Sequence, residues 1–452
     1  MNVQVKKIDK LHGDLVARPS KSFAHRYLLA SALSDNESII SNVDFSNDIV
    51  ATLNCIHSFG KKHFREFEKH EVRFSNEYTK NFDPTFDCKE SGTTLRIFLP
   101  IALSKYDKTT FIGSDRLLER GIDIYENIFK YVTFYKDKYS ISTKGTINTG
   151  RFELPGNISS QYISGLLYAL PLLEGDSEII ITTEVESTNY ILMTLEVLKN
   201  YGIQIETNLN RMCDTFDSVV GADTIRPHCR GECLQSPHMD ECLQSPHRGE
   251  CLQSPRRGEH CEPVYFKIKG NQKYSAHNFS IEGDYSNAAF IDAFNYFGNE
   301  INITGLNPNS LQSDIVYKKY FDMLSKDFSE IDISNCIDLG PVLITFAALK
   351  NGARFIGTSR LKIKESDRGN AIAEELKKCG ADISILENEI IVNKKELLSS
   401  TTPFNSHNDH RVAMALSLLS TQFDIEISGS ECVSKSYPGY FEDLKMLGAT
   451  IS

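Results

Sequence analysis

Six stretches of the chain share one pattern, in which a small or polar residue precedes a run of apolar residues at helical spacing. This pattern predicts a buried helix in each stretch, opened by a side chain that can cap it. The six predicted helices lie at residues 22–33, 91–103, 159–173, 286–297, 339–350 and 410–420.

A second amphipathic stretch and then alternating, strand-like residues follow each predicted helix. Four of these second stretches end at a glycine, the residue that most often terminates a helix: Gly60, Gly202, Gly380 and Gly448. The units recur at a nearly constant spacing, apart from a long central gap and one shorter step. Such recurrence indicates a repeated supersecondary unit, so we predict an α/β (α+β) fold of two lobes with three units each.

The central gap contains three near-identical nonamers, RGECLQSPH, MDECLQSPH and RGECLQSPR, which run from 230 to 256 and are followed by RGEHCEP. One interpretation is a metal-binding Cys/His tract, since Cys233, Cys242 and Cys251 alternate with histidines. However, there is no CxxC pair, and the duplication itself accounts for the regular spacing. We therefore favour a solvated, low-complexity insertion at about 208–263.

Composition narrows the class of protein. The 452 residues carry a net charge of −11, which makes the chain a poor general binder of nucleic acid or anionic membranes. Neither a signal-peptide core nor an apolar run of about 20 residues occurs. The 11 cysteines, an odd number, suit reduced thiols better than a disulfide framework. We expect a cytoplasmic protein, in which a small, focused basic site is still possible.

Cations stand beside several of the predicted helix starts, where free backbone N–H groups favour anions. Lys21 and Arg26 flank the first start, and Arg411 opens the sixth. In the segment KESDR we place Lys364 and Arg368 four residues apart on one helix, where an anion between them would offset their repulsion. A solvated, charged helix start would explain the same residues.

Two carboxylates near these cations also have two interpretations. Glu365, between Lys364 and Arg368, suits a proton donor or base near a bound phosphate or carboxylate. Asp338 precedes the fifth predicted helix, where it could act simply as its N-cap.

Seven motifs occur in a fixed order: SKSFAHR, SGTTLR, LPGNISSQ, EGDYS, KESDR, NDHR and KSYP. In this combination the chain closely resembles the 5-enolpyruvylshikimate-3-phosphate (EPSP) synthase family, from Val3 to Ala449. The resemblance implies two similar lobes, each of three βαβαββ-type units, with the active site in the cleft between them. Lobe one would comprise 1–20 and 284–452, and lobe two would comprise 21–283.

The resemblance also implies a reaction. The carboxyvinyl group of phosphoenolpyruvate would move to the 5-hydroxyl of shikimate 3-phosphate, with release of phosphate. Small-molecule substrates, a monomeric enzyme, and no metal or cofactor are expected.

The resemblance assigns site residues by position. Those expected to bind shikimate 3-phosphate are Lys21, Ser22, Arg26, Ser159, Ser160, Gln161, Ser187, Tyr190, Asp338 and Lys364. Those expected to bind phosphoenolpyruvate are Lys21, Gly92, Arg120, Gln161, Arg368, Arg411 and Lys435. Lys21 is also expected to be catalytic, Asp338 to be the base for the 5-hydroxyl and Glu365 the acid for the methylene carbon. The acid must be protonated near neutral pH, a state that burial among like charges would favour.

Some positions depart from the family pattern, notably Arg360, where many members have Asn. Two alternatives remain open: a UDP-N-acetylglucosamine enolpyruvyl transferase, and a non-catalytic metabolite-binding relative. The SSQ and KESDR segments fit the shikimate enzyme better than the first. The presence of Asp338, Glu365 and Lys21 argues against the second.

Overall fold

A computed structural model describes residues 1–209 and 263–452. The three nonamers lie outside the described residues, and so do both interpretations of them, as a metal-binding tract and as an insertion.

Helices form most of the buried layer of each repeated unit. Those in the described part of the chain are α1 (Lys21–Leu33), α2 (Asn47–Ser58), α3 (Gly92–Leu103), α4 (Asp115–Glu119), α5 (Asp123–Ile128), α6 (Ser160–Ala169), α7 (Thr188–Asn200), α8 (Tyr285–Asp292), α9 (Tyr317–Lys326), α10 (Gly340–Leu349), α11 (Arg368–Lys378), α12 (His410–Ser417) and α13 (Tyr440–Met446).

All six predicted helices are confirmed, as α1, α3, α6, α8, α10 and α12, and three of them continue into a 3₁₀ turn. Side chains cap five of the six helices, but only Ser91 and Ser159 are the residues predicted to open them, and at the other three starts the cap lies one or two residues earlier. At each of the five caps a side-chain oxygen accepts a hydrogen bond from a backbone N–H two or three residues further on; the five residues are Ser20, Ser91, Ser159, Asp284 and Asp409. The predicted glycine stops follow α2, α7, α11 and α13, and each glycine has a positive φ, between 81° and 114°. The left-handed conformation explains why glycine occupies these ends.

The strands are short. They are β1 (Asn2–Val5), β2 (His12–Val16), β3 (Ser38–Ser41), β4 (Lys61–Glu66), β5 (Glu71–Tyr78), β6 (Thr85–Asp87), β7 (Lys108–Ile112), β8 (Thr133–Lys136), β9 (Ser140–Lys144), β10 (Arg151–Leu154), β11 (Ser177–Ile181), β12 (Ile205–Thr207), β13 (Tyr265–Ile268), β14 (Phe279–Ser280), β15 (Glu300–Thr304), β16 (Ser329–Asp332), β17 (Ala353–Ile356), β18 (Asp382–Ile385), β19 (Glu389–Asn393), β20 (Phe404–Asn405) and β21 (Ile425–Ser428).

Within the described ranges these strands form six small sheets, four of which share one topology. Their strand orders are β14-β3-β5-β4, β6-β7-β9-β8, β10-β11-β13-β12 and β16-β17-β19-β18. In each, one parallel pair is extended by two antiparallel strands. The remaining sheets, β1-β21-β20 and β15-β2, are smaller. The repeated topology confirms the α/β class.

The described residues form two separate hydrophobic cores. One contains buried side chains from Phe23 to Ile281, and the other joins those of residues 3–15 to those from Tyr285 to Ala449. The first is built around α1, α3 and α6, and the second around α8, α10 and α12. We propose that these cores mark the two lobes, with the chain crossing near Ser20 and Asp284.

The strands β12 and β13 bracket the residues outside the described ranges. They pair antiparallel, with Thr207 opposite Phe266. The Asn208 side chain donates to Pro263 O at 3.1 Å and accepts from Tyr265 N at 3.0 Å. The chain therefore leaves and re-enters the sheet at neighbouring points.

Candidate active site

A narrow cavity of about 90 Å³ lies between the two cores and is lined from both sides. Its lining comprises Lys21, Ser22, Arg26, Asp48, Gly92, Thr93, Arg96, Arg120, Ile158, Ser159, Ser160, Gln161, Ser187, Tyr190, Asp284, Asp338, Arg360, Ile363, Lys364, Glu365, Arg368, His410 and Arg411. Of the site residues expected from the sequence, all but Lys435 belong to this lining. Residues far apart in the sequence thus meet at one cleft.

Asp338 is the point at which the cations of one lobe converge. Arg368 Nη1 and Lys364 Nζ both contact Asp338 Oδ1, at 2.7 and 3.0 Å, and Arg411 Nη2 lies 3.3 Å from Oδ2. From the other lobe, the Tyr190 hydroxyl donates to Oδ2 at 3.4 Å. Burial alone would raise the pKa of Asp338, but Arg411, Lys364 and Arg368 together lower it well below its usual value. The interpretation of Asp338 as an N-cap is wrong, because its oxygens bind these side chains and α10 has no side-chain cap.

The segment KESDR is not one helix. Asp367 caps α11 by accepting from Asn370 N at 3.2 Å, so the helix begins only at Arg368. Lys364 precedes it in extended backbone, with φ −86° and ψ −166°. The predicted i, i+4 pairing of Lys364 and Arg368 is therefore wrong, and the two cations meet instead at a carboxylate.

Arg368 is a buried guanidinium, with its side chain 1 % exposed, among three carboxylates. Besides Asp338 it contacts Asp409, with Nε 2.8 Å from Oδ2, and forms an ion pair with Glu365. Although burial alone would raise the pKa of Glu365, the permanent cations around it, Arg368 first and then Arg120 and Lys21, lower it well below its usual value. The expectation that like charges hold this carboxyl protonated is wrong, because its neighbours are mainly cations.

Lys21 and Arg26 lie on the first turns of α1 and face the cleft. Lys21 Nζ forms an ion pair with Asp48 at 2.9 Å. The Arg26 guanidinium donates to Thr194 Oγ1, Ser22 O and Tyr190 O, at 2.9, 2.8 and 3.0 Å. These bonds fix the guanidinium where α1 meets α7.

Gly92 and Arg120 lie in close contact. A Cβ at Gly92 would stand 2.9 Å from Arg120 Nη2, so this position of Arg120 requires glycine at the start of α3. Arg120 Nε donates to Ile363 O of the opposite lobe at 3.1 Å. Gln161, on α6, donates from Nε2 to Thr93 Oγ1 at 2.9 Å and accepts from Arg96 Nη1 at 3.2 Å.

Three of the four serines expected from the sequence lie at the starts of α6 and α7. Ser159 caps α6 by accepting from Gln161 N, and Ser160 is the first residue of that helix. Ser187 precedes α7 in the left-handed conformation, with φ 57° and ψ 41°, and makes no side-chain cap. Its Oγ instead accepts from Arg360 Nη1 across the cleft, at 2.9 Å.

Lys435 lies beside the cleft rather than in its lining. Its ammonium group forms an ion pair with Glu90 of the opposite lobe and donates to Asn408 O. The pair brings Lys435 to the rim, next to the start of α3. Its role as a ligand stays a prediction.

Sequence reasoning did not assign some cleft residues, of which His410 is the clearest case. It is 1 % exposed, and neither ring nitrogen has a hydrogen-bond partner among the described residues. Burial and the charge of Lys21 hold its pKa well below the usual value, so the ring is neutral. Its place in NDHR, directly before Arg411, was the available signal. Asp48, by contrast, lies in an ordinary amphipathic helix and gave no signal.

One group of side chains in the described ranges has metal-ligand spacing and is not part of the cleft lining: Glu374, Glu375 and His407, whose ligand atoms lie within 4.8 Å of one another. Glu375 already accepts from Lys378 Nζ at 2.6 Å, from His407 Nε2 at 2.9 Å and from Asn405 N at 2.7 Å. The Glu375 carboxylate therefore already has hydrogen-bond donors within the protein.

Two lobes of repeated α/β units, with cations and carboxylates converging between them, define a two-lobed protein with a charged cleft. A family model described as EPSP synthase (3-phosphoshikimate 1-carboxyvinyltransferase) matches residues 5–213 and 259–444. The chain belongs to this family, and the sequence-based identification is confirmed. The match is interrupted between 213 and 259, a stretch that includes the three nonamers.

Individual relatives agree with the family assignment. The chain is 36 % identical over 468 residues to the 3-phosphoshikimate 1-carboxyvinyltransferase of Clostridium perfringens strain 13, covering 98 % of this chain and 97 % of the relative. It is 36 % identical over 478 residues to the enzyme of the same name from Clostridioides difficile strain 630, covering 98 % and 96 %.

Solved structures show the same fold. An EPSP synthase from Acinetobacter baumannii superimposes with a TM-score of 0.70 at 19 % identity, covering 100 % of this chain and 99 % of that one. The enolpyruvyl transferase NikO from Streptomyces tendae gives a TM-score of 0.67 at 13 % identity, covering 100 % and 98 %. In the described part of the chain, no helix has the length and apolar character required to cross a membrane.

Proposed function

We propose that the chain transfers the carboxyvinyl group of phosphoenolpyruvate to the 5-hydroxyl of shikimate 3-phosphate. The products are 5-enolpyruvylshikimate 3-phosphate and phosphate, formed by addition and elimination through a tetrahedral intermediate. The observation that supports this most is the convergence of Lys364, Arg368 and Arg411 on Asp338, with Glu365 paired to the same Arg368. One site thereby holds both an array of cations and two carboxylates.

The charge of the substrates matches this array. Each substrate brings one phosphate and one carboxylate, and arginine forks bind both groups with two parallel hydrogen bonds. We assign shikimate 3-phosphate to the serines at the starts of α6 and α7 together with Lys21 and Arg26, on the lobe-two side. Phosphoenolpyruvate is assigned to Arg120, Arg368 and Arg411, with Lys435 at the rim.

Asp338 is the proposed base for the 5-hydroxyl. Its low pKa keeps it ionised, and the substrates' anionic groups compete for the same three cations. Removing part of that stabilisation raises the pKa of a carboxylate and makes it a stronger base. Binding of both substrates therefore prepares Asp338 to accept the proton.

Glu365 is the proposed acid. Two bound polyanions would offset the charges of Arg368 and Arg120, and the pKa of Glu365 would rise until it holds a proton. It then protonates the methylene carbon of phosphoenolpyruvate while the 5-hydroxyl oxygen attacks C2 and Asp338 takes the hydroxyl proton. Glu365 later removes a proton from the new methyl group as the C–O bond to phosphate breaks.

The cleft also favours the reaction by position. Arg116 and Arg120 of lobe two donate to backbone oxygens of residues 362–365 in lobe one, at distances from 3.1 to 3.4 Å. These bonds hold the acid's segment against the opposite lobe. Closing the lobes on the substrates aligns them and excludes water.

The test is release of phosphate from phosphoenolpyruvate with shikimate 3-phosphate as acceptor. We expect release that depends on both substrates and formation of the enolpyruvyl ether. Release only with UDP-N-acetylglucosamine would identify the related transferase instead. Tight binding of both substrates without turnover would identify a non-catalytic relative.

We further propose that the enzyme works as a monomer in the cytoplasm. Every group assigned to the reaction comes from one chain, so a partner subunit is not needed to complete the site. The cysteines of the described ranges are unpaired and buried, as suits a reducing compartment: Cys55, Cys88, Cys336, Cys379 and Cys432.

A further inference from the structure

Arg360 crosses the cleft from lobe one to lobe two. It lies in the 3₁₀ turn Ser359–Ile363 and is 6 % exposed. Within its own lobe it donates to Ser334 O, which anchors one end of the guanidinium. Towards the other lobe, Nη1 donates to Ser187 Oγ at 2.9 Å and Nε stands 2.5 Å from Glu186 Oε2.

Ser187 receives a second contact from lobe one. Its backbone N–H donates to Asn335 Oδ1 at 3.0 Å, which supports the left-handed conformation with φ 57°. A non-glycine residue in this region is held there only by its surroundings. For Ser187, Arg360 and Asn335 are part of those surroundings.

The hydrogen bond from Arg360 also sets the direction of the Ser187 hydroxyl. A serine oxygen that accepts from a guanidinium keeps its own O–H free to donate elsewhere. Both Ser187 and Arg360 line the cleft, so that proton is available to an anionic oxygen inside it.

We propose that Arg360 is a positioning residue for the phosphomonoester of the first substrate. It aims the Ser187 hydroxyl at the phosphate, and through Glu186 it makes that alignment depend on closure of the lobes. The inference rests on the proposed function, since it takes Ser187 as a ligand of shikimate 3-phosphate.

The test compares Arg360→Gln, Arg360→Lys, Ser187→Ala and the double variant Arg360→Gln/Ser187→Ala by steady-state phosphate release. We expect Arg360→Gln to raise KM for shikimate 3-phosphate about tenfold, the effect of losing a charged hydrogen bond, and to change KM for phosphoenolpyruvate by less than about threefold. Arg360→Lys should recover part of the loss, since it keeps the charge beside Glu186. The double variant should be no worse than the poorer single variant, because both changes remove one interaction.

The matched control is Arg354→Gln, since Arg354 also forms two ion pairs, with Glu330 and Glu389, but within lobe one. It should leave both KM values unchanged. The inference would be overturned if the increases in KM for shikimate 3-phosphate caused by Arg360→Gln and by Ser187→Ala multiplied in the double variant. It would also be overturned if Arg360→Gln changed the KM for both substrates equally. If Arg360→Gln does not fold, Glu186→Gln decides: a rise in KM for shikimate 3-phosphate alone supports the link to closure, and an unchanged value refutes it. Failure of the proposed function is separate, because the unmodified enzyme would then release no phosphate.

Discussion

Arg368 and Asp338 are 30 residues apart in the sequence, yet Arg368 Nη1 donates to Asp338 Oδ1 at 2.7 Å. The same oxygen lies 3.0 Å from Lys364 Nζ. The proposed base, Asp338, therefore forms an ion pair with Arg368, the most buried cation of the cleft. The proposed acid, Glu365, forms an ion pair with the same guanidinium. Changes to any of the three groups should affect the protonation of the others.

Asp338→Asn should abolish most of the activity. The amide keeps the shape of the side chain but accepts no proton, so we expect phosphate release to fall by at least about 100-fold, the usual contribution of a general base. Substrate binding measured by calorimetry should persist. Asp382→Asn, a change at an exposed aspartate of β18, is the control. Retention of more than about a tenth of the activity by Asp338→Asn would contradict the role of base.

Arg368→Met should destabilise the fold. It leaves Asp338, Glu365 and Asp409 without their shared cation, and breaking such a buried pair costs about 3–5 kcal/mol. Urea unfolding followed by circular dichroism measures the loss. Arg151→Met is the control, because Arg151 pairs with Glu153 at an exposed position. Equal stability of the two variants would show that the cluster is neutralised in another way.

Gly92→Ala should weaken binding of phosphoenolpyruvate more than binding of shikimate 3-phosphate. The new methyl group would stand 2.9 Å from Arg120 Nη2, so the guanidinium must move, whereas alanine suits the backbone of a helix. We expect KM for phosphoenolpyruvate to rise about tenfold, as for the loss of a charged hydrogen bond. Gly175→Ala, where the nearest atom is Thr149 Oγ1 at 3.1 Å, controls for the added methyl group. A rise confined to shikimate 3-phosphate would contradict the assignment of Arg120.

Asp314→Asn should change how stability depends on pH. Asp314 is buried and accepts a hydrogen bond from Ser286 Oγ. Burial, together with the charge of Asp338, raises its pKa from 3.8 to about 7, against the opposing effect of Arg411. Between these two values the unfolded chain releases a proton that the folded protein retains, so rising pH lowers the stability.

Asn does not titrate, so the variant should gain stability over the unmodified protein as pH rises from 4 to 7. One pKa unit corresponds to about 1.4 kcal/mol, and the gain should be on the order of 4 kcal/mol. Urea unfolding at several pH values measures the difference, with Asp382→Asn as the control. Parallel stability curves for Asp314→Asn and the unmodified protein would refute the prediction.

The sequence predicted the regular parts of the fold well, because they depend on local signals. Five of the six apolar helices are capped by a nearby side chain, such as Ser91 before α3, and glycines such as Gly380 end the second helices. The motifs near helix starts named residues that, apart from Lys435, line one cleft, while their roles stay predictions. Sequence reasoning was less successful within KESDR, where helical charge spacing and a capping residue compete as signals. Asp367 caps α11, so the helix begins at Arg368 and does not include Lys364.

Contacts between the lobes could not be predicted from local pattern. Arg360 and Ser187 are 173 residues apart, and neither position indicates the other. The charge around Glu365 was also predicted wrongly, since burial of a carboxyl says nothing about the sign of its neighbours. Arg120 comes from the opposite lobe and is near Glu365 only in the folded protein.

The pairing of β12 with β13 has an evolutionary consequence. Because Asn208 and Pro263 are neighbours in space, the coding sequence between them can lengthen without shifting a strand. Each doubling of the loop length adds only about 0.6 kcal/mol to the free energy of closing the loop. Duplications at this point therefore change the stability of the fold very little. The same point would accept a foreign domain or new chain termini, and the three nonamers lie between Asn208 and Pro263 in the sequence.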